Sequence, residues 1–406
     1  MRFNILVILI MVGGWGFGRL FKKIHVPAAI GMLFWGILLG ILFRQPYFSQ
    51  GVASATLDLL RQLEPFLKSL ALVIILLRGG LGIQREALNR HGLTAFLMAW
   101  IPALCEMGGI ALLLHYFFGW EWGVSFLASP ILSAVSLAVV VPAMLQLKQS
   151  GVGKKNDVPT MVLVASSLDN VLAVTLFSIL LSLINGKSGS IENIFWLLPW
   201  GIIGGVVVGI VAGLILSAFF EKRYTNIRAT EKALIIFMMA LMITQVGDII
   251  HASSLVAIVM VGFVLVERAP RVAHEVARKM NVLWVPAEIV LFVLVGMDVD
   301  VRNLLSLGVG GVLVIFGGLV FRSLGVLLAT SAAKISWKER LFCVFSYLPK
   351  ATVQAVLGSV PLAYGVPHGE VILALSVAAI VITAPLGAWI IEQFSVPLLD
   401  IDLHER

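Results

Sequence analysis

Val162–Ser182 reads VLVASSLDNVLAVTLFSILLS, long enough to cross a bilayer, with one formal charge, Asp169, at mid-span and Asn170 beside it. A charge held in hydrocarbon costs several kcal/mol, so a residue placed there marks a candidate site. A carboxylate at that depth can hold a proton or a small hard cation, but not both at once. That exclusion is the minimal chemistry of cation–proton exchange. The Asn170 amide oxygen can coordinate a hard cation beside a carboxylate; it can equally make a helix–helix polar contact. Ser133 and Ser136 lie near the middle of another apolar segment. Their hydroxyls, or carbonyls freed near them, could complete an oxygen shell, although serines often satisfy only their own helix backbone.

A second interrupted segment, Ser346-Tyr347-Leu348-Pro349-Lys350-Ala351-Thr352, carries a cation. Proline breaks the helix and frees a carbonyl one turn back. Lys350 at that break can face a cavity, as a counter-ion for Asp169 or as an amine that carries a proton. The alternative is a lysine that snorkels to an interface; the apolar residues on either side within Leu341–Leu362 count against it. Glu106 and Arg322 form a second candidate pair, read as a structural ion pair. Glu288, after Pro286, lines a water-filled funnel or sits near the cytoplasmic interface. Asp248 and His251 fall at an outer loop, where solvation explains them.

The elements that position these residues are membrane spans. The chain has 406 residues, is 60% hydrophobic and only 13% charged, with mean hydropathy +1.02. No soluble domain of this length has such a composition. Hydrocarbon of roughly 30 Å takes about 20 apolar residues per helix. The segments that qualify are 3–20, 26–43, 56–83, 92–118, 121–147, 158–184, 193–220, 230–249, 252–267, 280–298, 303–331, 338–362 and 368–393, an expected all-α polytopic bundle of about thirteen helices. The first is expected to be a retained helix, since Arg19, Lys22 and Lys23 follow it and no small-residue cleavage site does. The first half of 56–83 carries Asp58, Arg61, Glu64 and Lys68, which suggests an amphipathic lead-in at the interface.

The net charge of +7 does not suggest nucleic-acid binding, because Lys and Arg sit in short loops. Alternate loops are rich in them (Lys148/Lys154/Lys155, Lys222/Arg223/Arg228, Arg268/Arg271/Arg278/Lys279), whereas those between carry Arg44, Lys187 or Arg302 alone, or none. Basic loops stay cytoplasmic, so the N-terminus is expected outside and the short tail 396–406 inside. There is no P-loop, dinucleotide turn or His/Cys cluster, which counts against an ATP-driven pump and implies no cofactor. Cys105 and Cys343 lie in apolar segments as small buried hydrophobes.

The segments also repeat. Pro130 and Pro142 in the fifth are twelve residues apart, as are Pro349 and Pro361 in the twelfth. Segments 1–6 and 8–13 would then be halves of opposite orientation around one spacer. Paired interrupted helices at matching positions point to a midplane site in a secondary transporter.

Four segments carry a family resemblance: Ala128–Leu145 (ASPILSAVSLAVVVPAML), Ala165–Ala173 (ASSLDNVLA), Leu291–Val301 (LFVLVGMDVDV) and Leu348–Pro361 (LPKATVQAVLGSVP). Together they resemble the monovalent cation–proton antiporter superfamily, and within it the NHA-type sodium/proton antiporters. The resemblance implies two crossing broken helices, a homodimer and elevator-like alternating access. It also implies a dimerisation panel, roughly 1–83 and 193–267, and an ion-transport core, roughly 92–184 and 280–393, within one membrane unit, 1–395. The family's usual Asp-Asp pair maps onto Asp169-Asn170, its lysine after proline onto Lys350, and its intramembrane Glu/Arg pair onto Glu106 and Arg322.

This chain departs twice. Asn170 replaces the carboxylate usually credited with the cation, and Leu137 stands where a proline is common. Asn170 leaves three readings: an introduced change that traps one state, a natural antiporter in which Asp169 does both jobs, or a transport-dead relative. The expected function is sodium (or lithium)/proton antiport in the plasma or bacterial inner membrane. The ion would sit at Asp169 and Asn170 with help from Ser133 or Ser136, and Lys350 would neutralise Asp169 when no cation is bound. The alternatives are an ion-binding sensor without flux, which the short tail disfavours, and an organic-anion transporter, for which Lys350 and Arg322 keep the option open. An enzyme is the weakest reading, since no nucleophile–base arrangement is visible.

Overall fold

The computed structural model describes residues 3–24, 26–44, 54–82, 85–184, 194–224, 226–250 and 252–399. Lys187, His251 and Asp400–Arg406 lie outside the described residues, as do the side chains of Asp58, Arg61, Arg85, Arg90 and Asp248. Among the described residues the regular structure is helical. In chain order the helices are α1 Phe3–Lys23, α2 Ala28–Arg44, α3 Ser54–Gly82, α4 Arg85–Phe118, α5 Trp122–Ser133, α6 Leu137–Gln149, α7 Val158–Ile184, α8 Ile194–Lys222 and α9 Ala229–Ile250. They continue as α10 Ser254–Arg268, α11 Pro270–Asp298, α12 Val301–Ser306, α13 Gly308–Ala329, α14 Trp337–Ser346, α15 Thr352–Leu357, α16 Val360–Ala363 and α17 Gly369–Leu398.

Ten apolar stretches among the described residues are long and apolar enough to cross a membrane; Ala28–Arg44 and Thr352–Ala363 are shorter apolar pieces. The expected span 121–147 is broken between α5 and α6, and 338–362 is broken twice, between α14, α15 and α16. The expected span 280–298 begins ten residues earlier. Pro270 occupies the first turn of α11, where its missing N–H costs nothing. Val272, Ala273, Val276 and Met280 are buried while Arg271 and Arg278 face outward, so residues read as a basic loop form an amphipathic turn of helix. At the other end, α17 runs past 395 to Leu398.

The helices fall into two groups by contact. One comprises α1, α2, α3, α8, α9, α10 and α11; the other is built on α4–α7 and α13–α17. The helix α11 packs chiefly on α2 and α3 and so groups with them by contact. In hydrocarbon no hydrophobic force drives helices together, and close backbone approach through small residues replaces it. A Cβ on Gly296 of α11 would lie 2.9 Å from the Gly36 Cα of α2. A Cβ on Gly262 of α10 would lie 2.7 Å from the Gly80 carbonyl carbon of α3. Counted as apolar segments, these are the 2–10 and 9–3 pairs, which exchange when each number is shifted by seven. The extensive α4–α13 contact is the 4–11 pair, which maps onto itself. This reciprocity is what an inverted repeat of segments 1–6 and 8–13 requires.

On α8, Gly205, Gly209 and Gly213 admit the backbone or side chains of Ser253, which caps α10, and of residues 256–264 within it, while Ile203, Val207, Val211 and Ile215 face outward. Lys68 does not lie at the interface as a lead-in. Inside the continuous helix α3 its ammonium is buried, bound to Glu64, to Asp298 Oδ2 at 2.9 Å and to Ser359 Oγ at 2.7 Å.

Candidate ion-binding site

The chain leaves helical geometry at Ala134 (φ −56°, ψ 139°) and re-enters it after Ser136 (φ −78°, ψ 107°). A helix end leaves its last carbonyls without backbone donors and concentrates partial negative charge there. Here side chains from elsewhere supply the donors. Gln354 Nε2, on α15, donates to Ile131 O and Ala134 O, each at 2.9 Å. Arg322 Nη1, on α13, donates to Ser133 O at 2.8 Å, and Lys350 Nζ donates to the same oxygen. The second break, Tyr347–Ala351, crosses the first: Ser136 N donates to Pro349 O at 2.8 Å. Lys350 N donates to Thr383 Oγ1 of α17 at 2.9 Å, which anchors that break from behind.

Four charged groups meet at the crossing, all at most 2% exposed. Arg322 Nη2 binds Asp169 Oδ1 at 2.6 Å, and Arg322 Nη1 binds Glu106 Oε2 at 2.5 Å. Lys350 Nζ binds the same Glu106 oxygen at 2.7 Å. Asp169 Oδ2 also accepts from Val135 N, in the first break, at 3.1 Å. Two cations therefore face two carboxylates with no net charge. Arg322 serves both acids, because its planar fork presents Nη1 to Glu106 and Nη2 to Asp169. Arg322 also lies over the Tyr347 ring at 5.1 Å.

The structure brings Asp169, Asn170, Ser133, Ser136, Lys350, Glu106 and Arg322 to one crossing and leaves Glu288 outside it. Lys350 contacts Glu106 rather than Asp169, whose bound cation is Arg322. Ser133 Oγ returns to Pro130 O at 3.2 Å, so the oxygen it offers the crossing is its carbonyl. Asn170 Oδ1 and Ser136 Oγ are buried without a hydrogen-bond partner. Glu288, half-buried on α11, shares its surroundings with Arg78 and Trp284. Gln354, Thr383 and Tyr347 also contact the crossing, and the sequence does not single them out. Gln354, four residues beyond Lys350 in an apolar run, is a visible polar signal.

A model of the family described as "Sodium/hydrogen exchanger, transmembrane" matches residues 6–394. The chain belongs to the sodium/hydrogen exchanger family. Sodium/hydrogen exchanger 9B2 of Mus musculus is 31% identical over 95% of this chain and 72% of its own length. Sodium/hydrogen exchanger 9B1 of Mus musculus is 34% identical over 82% of this chain and 60% of its own. Human sodium/hydrogen exchanger 9B1 is 31% identical over 79% and 64%. The chain thus spans from three-fifths to under three-quarters of these longer relatives. In fold it is similar to the sodium proton antiporter MjNhaP1 of Methanocaldococcus jannaschii, with TM-score 0.77 and 20% identity over 98% of this chain and 99% of that one. Family membership makes this exchanger an integral membrane protein of the cation/proton antiport class, with sodium and protons as the ions implied.

Proposed function

We propose that the chain exchanges sodium or lithium for protons at Asp169 by elevator-type alternating access, as a homodimer in the plasma or bacterial inner membrane. The cation takes its oxygens from the Asp169 carboxylate, Asn170 Oδ1, Ser136 Oγ and the broken backbone between Ser133 and Ser136. The observation that carries this reading is a buried carboxylate that reaches Val135 N in the first break, while Asn170 Oδ1, on the next residue of α7, and Ser136 Oγ, at the end of that break, are buried without a hydrogen-bond partner. Buried polar atoms are normally satisfied, and those that are not call for a ligand, a water or a strained role.

Charge balance supplies the coupling. The four buried groups are neutral as they stand, so an added cation leaves one uncompensated positive charge in low dielectric. A proton must leave. Arg322 cannot lose one, whereas a lysine can. Lys350 therefore carries the exchanged proton, and Arg322 gives up Asp169 Oδ1 as the cation arrives while it keeps Glu106. In this reading the moving unit is the group built on the two broken helices. The other group stays fixed, carries the dimer contact, and presents apolar faces such as Ile203, Val207, Val211 and Ile215 of α8. The N-terminus lies outside and the tail in the cytoplasm.

The test is sodium- and lithium-driven proton movement in proteoliposomes. If the chain exchanges and Asp169→Ala abolishes exchange, one carboxylate suffices. If the chain is silent and Asn170→Asp exchanges, the site is right and Asn170 disables it. If neither form moves protons with any alkali cation, the antiport reading fails.

A further inference from the structure

A cavity of about 160 Å³ opens between the two helix groups, at the faces of α3, α6, α7 and α11. Its walls include Leu137 and Ala138, which follow Ser136, and Ser167, which lies on the Asn170 face of α7, three residues before it. The two unpartnered oxygens therefore belong to residues no more than one helical turn along the chain from residues that line the cavity. Among the described residues that line it, Arg78 is the one that carries a charge. Arg78 Nε donates to Asn281 Oδ1 at 2.8 Å, and its guanidinium lies over the Trp284 ring at 5.3 Å. Asn281 is neutral, so this fixation positions the charge without cancelling it. Glu288, one turn beyond Trp284 on the same face of α11, is the carboxylate that it feels, but Glu288 does not line the cavity, so the wall itself carries the Arg78 charge.

We propose that Arg78 is a specificity-determining residue: a fixed positive charge on the wall of the approach to Asp169 that admits monovalent cations and disfavours divalent ones. This rests on the antiport reading above. A unit charge several ångströms away across a partly hydrated wall lowers the local concentration of a monovalent cation about fivefold. The same potential acts twice on a divalent cation and lowers it roughly 25-fold. A site of oxygens around a carboxylate would otherwise prefer the divalent ion, whose charge gains more from the same ligands. Arg78 therefore acts on access and leaves the chemistry at Asp169 untouched.

The field can be read without transport. In the full-length protein with Cys105→Ala and Cys343→Ala, Ala138→Cys puts one thiol on the cavity wall. Its reaction rates are compared for an anionic sulfonatoethyl and a cationic trimethylammonioethyl methanethiosulfonate. Arg78→Gln is expected to slow the first and speed the second about fivefold each, so that their ratio falls roughly 25-fold, while Arg78→Lys preserves it. In proteoliposomes, Arg78→Gln is expected to lower the sodium KM about fivefold at unchanged kcat and to strengthen inhibition by Mg²⁺ roughly 25-fold. An unchanged reagent ratio in Arg78→Gln overturns the proposal. So does a thiol that reacts with neither reagent, or an unchanged KM and Mg²⁺ inhibition in exchanging protein. A shifted ratio supports it even in protein that exchanges nothing, since the thiol reports the field on the route and not turnover; absent exchange then counts against the proposed function instead.

Discussion

Arg322→Met tests whether the crossing is held by charge or by packing. The guanidinium is 1% exposed and donates to Glu106, Asp169 and the Ser133 carbonyl at 2.5, 2.6 and 2.8 Å. Methionine fills much of its volume but supplies no donor. Two buried carboxylates then face the single ammonium of Lys350, and one negative charge is left uncompensated. Removing one partner of a buried pair costs about 3–5 kcal/mol, and the Ser133 carbonyl keeps Lys350 as donor, so this range is the expected loss. Asp169→Asn alone leaves one excess positive charge and also destabilises. The double variant is neutral again, with Glu106 facing Lys350. It should therefore be more stable than Arg322→Met alone, with a coupling of about 1–3 kcal/mol. The assay is equilibrium unfolding of purified protein in detergent, followed by tryptophan fluorescence at fixed salt. A loss below about 1 kcal/mol for Arg322→Met, or additive losses in the double variant, would refute the charge argument.

Three further outcomes rest on the same contacts. Gln354→Leu strips the donor from the Ile131 and Ala134 carbonyls; at about 1–3 kcal/mol for each buried unpaired group, it should cost roughly 2–6 kcal/mol in the same unfolding measurement. Gly296→Val would drive a Cβ into the Gly36 backbone, where the nearest Cα is 2.9 Å away, and should destabilise by about 1–3 kcal/mol or more. Gly16→Ala, with nothing within 4 Å, should stay within about 0.5 kcal/mol and serves as its control. Lys350→Met removes the group proposed to exchange the proton. Wild-type sodium affinity should rise with pH, because proton and cation compete, and this slope should flatten in the variant when binding is followed by calorimetry across pH.

Much of this arrangement is legible in the amino-acid sequence, for a definite reason. In a chain that is only 13% charged, an ionisable residue inside an apolar span has nowhere inexpensive to go. Asp169, Glu106, Arg322 and Lys350 announce themselves by that cost, and they converge. The broken helices are legible from Pro130 and Pro349, with matching spacing to Pro142 and Pro361. The pairing is not legible. Lys350 is expected on Asp169 because both are charged and mid-span, but the choice depends on reach across a crossing. The Arg322 fork spans both acids, and the break at Pro349–Ala351 carries Lys350 towards Glu106 and the Ser133 carbonyl. Gln354 escapes notice because an uncharged amide in an apolar helix carries little penalty in sequence terms, and its partners are backbone atoms on another segment. The start of α11 is hidden for the opposite reason: Arg271, Arg278 and Lys279 read as a loop, although the apolar residues between them keep helical spacing.

The residue beside Asp169 decides the charge balance of the proposed cycle. With Asn170, the empty site is neutral and a loaded site stays neutral only if one proton leaves for each cation. Exchange is then one for one and moves no net charge. A carboxylate at 170 would add one negative charge to the empty site, in a place where Asn170 is 3% exposed and its side-chain oxygen has no partner. Buried and unpaired, that charge would be neutralised by a second proton in the empty state. Loading a single cation would then release a second proton only if the loaded site holds one net negative charge, and in that case the cycle would move net charge across the membrane. The amide at 170 therefore need not mark a broken site. It removes one titrating group while keeping an oxygen ligand in place, so the proposed cycle stays charge-neutral. Dependence of proton flux on an imposed potential, absent with Asn170 and present with Asn170→Asp, separates that reading from simple inactivation.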